Sequence, residues 1–85
     1  MNIDINTNDR YATRDLAEAA LLLTKNQKLL RLERQGKIVY FIFSGKEKCE
    51  ELSNQFWFGE CLANAKSYYE AMATLKNRIF AKEII

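Results

Sequence analysis

The spacing of apolar residues in the first half of the chain predicts a helix. Apolar side chains recur every three or four positions at Leu16, Ala19, Ala20 and Leu23. This spacing predicts a first helix near residues 14–25. Thr13 is in position to cap its amino terminus, and Asn26 can adopt the left-handed conformation that ends a helix.

Two β-prone runs follow, residues 29–34 and 37–44, separated by Gln35-Gly36. A two-residue loop ending in glycine predicts a tight hairpin. Its register would place three pairs on one face: Leu32 with Val39, Leu30 with Phe41, and Lys28 with Phe43. The other face would carry three more pairs: Glu33 with Ile38, Arg31 with Tyr40, and Leu29 with Ile42. We expect the first face to be core, and the second to mix aliphatic, aromatic and cationic side chains.

Two further helices are predicted in the second half of the chain. Ser44-Gly45-Lys46-Glu47 fits a capping box, in which serine and glutamate satisfy each other's free amides. The helix behind it would turn Cys49, Leu52 and Phe56 inward, continue through Trp57 and Phe58, and end at Gly59. Asn64 can cap a last helix, which has an apolar stripe that we expect to be core: Tyr68, Met72, Leu75 and Ile79.

The predicted order is helix, hairpin, helix, helix, which defines an α+β fold with a small sheet packed on helices. Residues 11–85 would form a single domain, as expected for a chain of 85 residues with 48% hydrophobic and 28% charged content. Residues 1–10 are either a tail or an extra strand, because Ile3 and Ile5 alternate with polar neighbours.

Several of these segments together resemble a family of short proteins known only as a domain of unknown function. The segments are Tyr11-x-Thr13-x-Asp15-Leu16, Val39-Tyr40-Phe41-Ile42-Phe43, Phe56-Trp57-x-Gly59-Glu60 and Tyr68-Tyr69-x-Ala71-Met72-x-x-Leu75-Lys76. The resemblance covers about residues 11–80. It implies a compact domain of the kind found in microbes, their viruses and mobile elements. It implies no activity and no functional residues.

The composition argues against catalysis, cofactors and metal binding. The chain contains no histidine, the usual acid–base residue at neutral pH. Cys49 and Cys61 are too few for a zinc site, and the glycines are too isolated to form a phosphate loop. There is no secretion signal and no apolar run of the ~18 residues that cross a bilayer. We therefore expect a cytoplasmic, non-enzymatic protein without cofactor, metal or membrane contact.

Protein recognition is the function that the hairpin favours. The candidate contact residues lie on its mixed face: Arg31, Ile38, Tyr40 and Ile42. Tyrosine and arginine among aliphatic residues are typical of interface centres. The partner would be an unidentified protein or a second copy of the chain. By analogy with the family's setting, one form of this hypothesis is a phage or mobile-element protein that occupies and inhibits a host complex.

Nucleic-acid binding is the alternative, because residues 25–46 carry six cationic side chains against one acid, Glu33. The candidate residues are Lys25, Lys28, Arg31, Arg34 and Lys37. Cations neutralise phosphates, and Tyr40 could stack on a base. Strand alternation would send Lys28 and Arg31 to opposite faces, which weakens this interpretation.

Overall fold

The computed structural model describes residues 9–84 and has the predicted α+β architecture. Within that range the elements are β1 (Arg10–Thr13), α1 (Leu16–Thr24), β2 (Leu29–Gln35), β3 (Ile38–Ser44), α2 (Lys46–Trp57) and α3 (Ala65–Ile84). The predicted order of helix, hairpin, helix, helix is confirmed. A short strand that the sequence analysis did not predict precedes it. The strand suggested at Ile3 and Ile5 lies outside the described residues.

The helix α1 begins at Leu16, two residues later than a Thr13 cap would require. Asp15 is the N-cap, and its Oδ1 accepts a hydrogen bond from the Glu18 amide at 2.8 Å. Thr13 instead belongs to β1, where its hydroxyl accepts the Asp15 amide at 3.1 Å. Asn26 lies just beyond the helix with φ +70°, which is the left-handed conformation that the sequence predicted.

The strand β1 makes β3 the centre of the sheet. Among the described strands the order is β1-β3-β2, with both pairings antiparallel. Tyr11 pairs with Phe43 and Thr13 with Phe41, so these four side chains share the face that packs on the helices. Only four residues long, β1 is too short for alternation to reveal it in the sequence.

The predicted hairpin exists, but its predicted register is wrong. The turn residues are Gly36 and Lys37, and Gln35 pairs with Ile38. Leu32 therefore pairs with Phe41 and not with Val39. Gly36 has φ +62°, and a glycine at the first turn position is typical of a type II′ turn. The predicted loop Gln35-Gly36 has this glycine at the second position, so the predicted pairs of residues 31–33 differ from the observed ones by two residues.

A bulge near the start of β2 moves two leucines to faces opposite those predicted. The register shifts between Leu29 and Arg31, so that Leu29 pairs with Phe43 and packs against the core. Leu30 had been assigned to the core face opposite Phe41. It lies instead with Arg10 on the other face of the sheet, because a bulge inserts one extra residue into the alternation.

The helix α2 is capped by a distant residue and not by the predicted capping box. Its N-cap is Gly45, which has φ +81° and offers no side chain. The Asp9 carboxylate accepts the Gly45 and Lys46 amides, both at 3.1 Å. An anion at this position stabilises both the free amides and the positive end of the helix. The predicted end at Gly59 is confirmed by its φ of +73°.

A single core lies between the helices and one face of the sheet. Its central residues are Ala19, Ala20, Leu22, Phe41, Phe43, Cys49, Leu52, Ala71 and Leu75. The predicted stripe of α3 is confirmed, since Leu75 is fully buried and Tyr68, Met72 and Ile79 pack around it. The predicted cap is also confirmed, because Asn64 Oδ1 accepts the Ser67 amide at 2.9 Å. Within residues 9–84, no helix is long and apolar enough to cross a bilayer.

Candidate functional site

The candidate contact residues lie on the sheet face turned away from the core, which we call the outer face. It carries Arg10, Ala12, Leu30, Arg31, Glu33, Gln35, Ile38, Tyr40 and Ile42. Their neighbours along each strand pack on the core, and strand side chains alternate between faces. The structure therefore brings Arg31, Ile38, Tyr40 and Ile42 to one face, although the pairs are not those expected.

Ile42 differs from the other candidate contact residues because it is only 6% exposed. It lies on the central strand, paired with Ala12 of β1 and with Arg31 of β2. The sequence analysis treated Ile42 as an accessible contact residue because it did not predict β1. In the structure the Ile42 side chain lies on the outer face but is almost fully covered, so a partner could reach little of it.

Arg31 and Glu33 form an ion pair at the exposed surface. The Arg31 Nε donates to a Glu33 carboxylate oxygen at 2.7 Å, and both residues point to the outer face. Glu33 also pairs across the strands with Tyr40. An exposed ion pair contributes little to stability, so this contact leaves both side chains accessible on the outer face.

The five basic residues proposed for nucleic acid do not form one surface. Lys28 and Arg31 lie on or beside the outer face, and Lys28 borders a hollow that also contains Arg10. Lys37 is in the hairpin turn, and Arg34 donates to the Ile79 carbonyl at 3.2 Å. Lys25 is elsewhere, at the end of α1.

A groove opens where β1 ends, between the hairpin turn, the start of α1 and the end of α3. Its volume is about 320 Å³. The lining residues are Arg14, Leu16, Lys37, Ile38, Val39, Phe41 and Ile79. Of these, the sequence analysis had identified only Ile38 and Lys37 as candidate binding residues. Arg14 was missed because its proximity to Lys37 depends on the pairing of β1 with β3.

Tyr11, Thr13 and Glu18 form a buried polar cluster that connects β1 to α1. The Tyr11 hydroxyl donates to one oxygen of the Glu18 carboxylate, and the Thr13 hydroxyl donates to the other at 2.8 Å. Burial, followed by the hydrogen bond to Glu18, raises the pKa of Tyr11 to about 12. The phenol therefore stays a hydrogen-bond donor to Glu18 even above pH 10, and the cluster positions β1 against the helix.

Cys49 does not have the surroundings of a reactive cysteine. Cys49 is fully buried, and burial raises the pKa of its thiol. Its Sγ donates to the Ser44 carbonyl and accepts from the Gln27 amide, both at 3.4 Å. Cys61 is half-buried, and the two cysteines are not joined by a disulfide. A nucleophilic cysteine needs a depressed pKa and access to solvent, which Cys49 lacks.

A second exposed apolar region lies at the carboxyl end of α2 and in the loop after it. Trp57 is 59% exposed, Phe58 76% and Leu62 85%. The rings of Phe56 and Trp57 meet edge to face, with centroids 5.0 Å apart. The sequence assigns neither Trp57 nor Phe58 to an interface, because they are the last residue and the C-cap of α2, where helical spacing no longer predicts which side chains are buried.

Comparison of the chain with protein-family models, with curated proteins and with solved structures gave no match. The family resemblance stays a prediction. In the part of the chain that the structure describes, no three histidine, cysteine or acidic side chains are grouped so that they could hold a metal ion.

Proposed function

We propose that this protein is a non-enzymatic module that recognises another protein through the outer face of its sheet. The observation that carries the proposal is the grouping of Arg31, Ile38 and Tyr40 on that face. Tyrosine and arginine concentrate binding energy at the centres of protein interfaces. Here they lie beside Ile38, a large apolar residue that is 36% exposed.

The outer face is rigid enough to bind with a small loss of entropy. Tyr40 and Ile42 belong to the central strand, whose alternate residues Phe41 and Phe43 are fully buried in the core. Arg31 also belongs to a strand, β2, which is paired with the central strand along its length. A rigid aromatic side chain presented by a strand gives large contact area for little conformational cost.

Affinity capture from the native host, after nuclease treatment, tests the proposal. We expect proteins retained by the wild type to be lost with Tyr40→Ala and with Arg31→Ala. Tyr69→Ala is the matched control, because Tyr69 is 73% exposed on α3, a helix that packs on the core face of the sheet and not on the outer face. Equal loss with Tyr69→Ala, or equal retention by all variants, would contradict the proposal. Light scattering on the purified protein distinguishes an external partner from self-association.

The kind of partner is inferred by analogy with the family that the chain resembles, and not from any residue of the chain. Proteins of the family that this chain resembles occur in microbes, viruses and mobile elements, so a host complex that the protein occupies and inhibits is the form that we propose. Identification of the captured protein by mass spectrometry tests it directly. A captured protein with no role in a host complex would contradict this form of the proposal but not protein recognition itself.

Nucleic-acid binding is a second candidate, favoured by the position of Arg10 beside Lys28. Together with Arg31 they bring three cations to or beside the outer face, where Tyr40 could stack on a base. A mobility-shift titration at two salt concentrations tests this candidate. Binding should weaken as salt rises, since phosphate contacts release counterions. Absence of binding at low salt, or binding indifferent to salt, would contradict it.

A further inference from the structure

The central strand has an unpaired edge beside the groove. β1 pairs with β3 only from Phe41 to Ser44, so within the described chain Ile38, Val39 and Tyr40 have no strand partner on that side. The pair that closes a two-residue turn is hydrogen-bonded, which directs the Ile38 and Tyr40 backbone groups towards β2. The Val39 N–H and C=O must therefore point the other way, towards the groove.

The groove beside this edge has the size and the lining to hold an apolar side chain. Leu16, Val39 and Ile79 contribute apolar surface from α1, β3 and α3, and all three are partly exposed. The volume of about 320 Å³ is near the lower end of the range for small-molecule sites. One side chain of an extended peptide would occupy it more readily than a cofactor.

The charge around the groove is positive. Arg14 and Lys37 are both exposed and both line it, and none of the described lining residues is acidic. The nearest acid in sequence, Asp15, already accepts the Glu18 amide as the cap of α1. A partner that supplied carboxylates here would complement two cations, which favours association and selects against basic partners.

We propose that an extended segment of an acidic protein partner adds to the β3 edge at Val39. One apolar side chain would fill the groove, and neighbouring carboxylates would face Arg14 and Lys37. The residue opposite Val39 shares its face of the sheet, so that residue supplies the apolar side chain and donates its amide to the Val39 carbonyl. β1 and β2 also have outer edges, but the groove and its cations lie beside β3. This inference rests on the proposed function and specifies its partner chemistry.

Fluorescence anisotropy with a synthetic peptide tests the proposal. The probe is a short labelled peptide in which a central leucine is flanked by alternating threonine and aspartate. We expect it to bind the full chain at low salt and to bind more weakly at about 0.15 M salt. Lys37→Glu and Arg14→Glu should each weaken binding about tenfold. Lys66→Glu is the matched control, because Lys66 is exposed in the first turn of α3 and does not line the groove.

Three altered probes separate the parts of the proposal. Replacing the central leucine by alanine removes the groove contact, and replacing aspartate by lysine removes the charge complement. N-methylation of the central amide removes the hydrogen bond to the Val39 carbonyl. Each change should reduce binding at least about tenfold.

The inference is overturned if the unmodified probe does not bind at low salt, if Lys66→Glu weakens binding as much as Lys37→Glu, or if the N-methylated peptide binds as tightly as its parent. A dimer of the protein that Lys37→Glu dissociates would assign the edge to a second copy, which also overturns it. Host proteins captured in a Tyr40-dependent way that Lys37→Glu does not affect would contradict only this inference. The proposed function would then stand.

Discussion

The two faces of the sheet carry side chains from the same strands but have different physical roles. On the core face Phe41 and Phe43 are at most 1% exposed. On the outer face Tyr40 is half-buried, and Arg31 is exposed in an ion pair with Glu33. A buried side chain stabilises the fold and leaves nothing for a partner to contact. A partly exposed side chain contributes less to stability but is available to a partner. The face of the sheet to which a strand residue points therefore separates most residues that maintain the structure from those available for recognition.

Replacement of Phe41 should give the largest effect. We expect Phe41→Ala to reduce the free energy of unfolding by about 3–5 kcal/mol, because it leaves a cavity in the core. Tyr40→Ala, one residue away on the opposite face, should cost about 1 kcal/mol or less. Urea titration followed by circular dichroism measures both. Equal losses would show that the two faces do not differ as described.

Ile42 is the exception among these residues of the outer face, because its side chain is buried. We expect Ile42→Ala to cost about 2–3 kcal/mol, closer to a core substitution than to Tyr40→Ala. The same urea titration tests this expectation. A loss under about 0.5 kcal/mol would mean that Ile42 is accessible, as the sequence analysis had assumed.

Tyr11, on the core face, should make the stability of the fold depend on pH in the alkaline range. Its pKa is raised from 10.0 to about 12, so between these values the unfolded chain binds fewer protons than the folded one. Stability should therefore be unaffected by this group below pH 10 and fall as the pH rises towards 12. Thermal melts of the wild type and Tyr11→Phe across this window should show the steeper fall in the wild type. Parallel curves would contradict the assignment.

The smallest effect is expected for Arg31 on the outer face. Because the Arg31–Glu33 pair is solvent-exposed, Arg31→Ala should change stability by less than about 0.5 kcal/mol. A double-mutant cycle with Glu33→Ala measures the pair directly. A coupling above about 1 kcal/mol would mean that the pair is structural, and loss of binding in Arg31→Ala would then have to be corrected for stability.

Local signals in the sequence were enough to predict the helices, the hairpin and several of their ends. Asn26 and Gly59 have the left-handed conformations expected after a helix, and Asn64 caps α3. The stripe around Leu75 is core. Each of these features depends on residues within a turn or two of one another, so spacing and residue type carry the information.

The candidate site could be predicted only in part. Alternation correctly grouped Arg31, Ile38 and Tyr40 on one face. Their observed pairs differ from the predicted ones by two residues, and a change of two leaves each side chain on the same face of its strand. It misassigned Leu29 and Leu30, because a bulge reverses the alternation on one side of it and leaves no mark in residue type. The groove was not foreseen, because Arg14 and Ile79 are 65 positions apart in sequence.

Local patterns in the sequence predict the three helices, the hairpin and the apolar stripe of α3, but neither the strand β1 nor the faces of Leu29 and Leu30. The tertiary structure alone decided that Arg10–Thr13 is a strand, that Asp9 caps α2 from 36 residues away, and that Ile42 is buried. The physical reason is the range of the interactions. Secondary structure follows from neighbours along the chain, whereas pairing, distant capping and burial depend on which segments meet when the core forms.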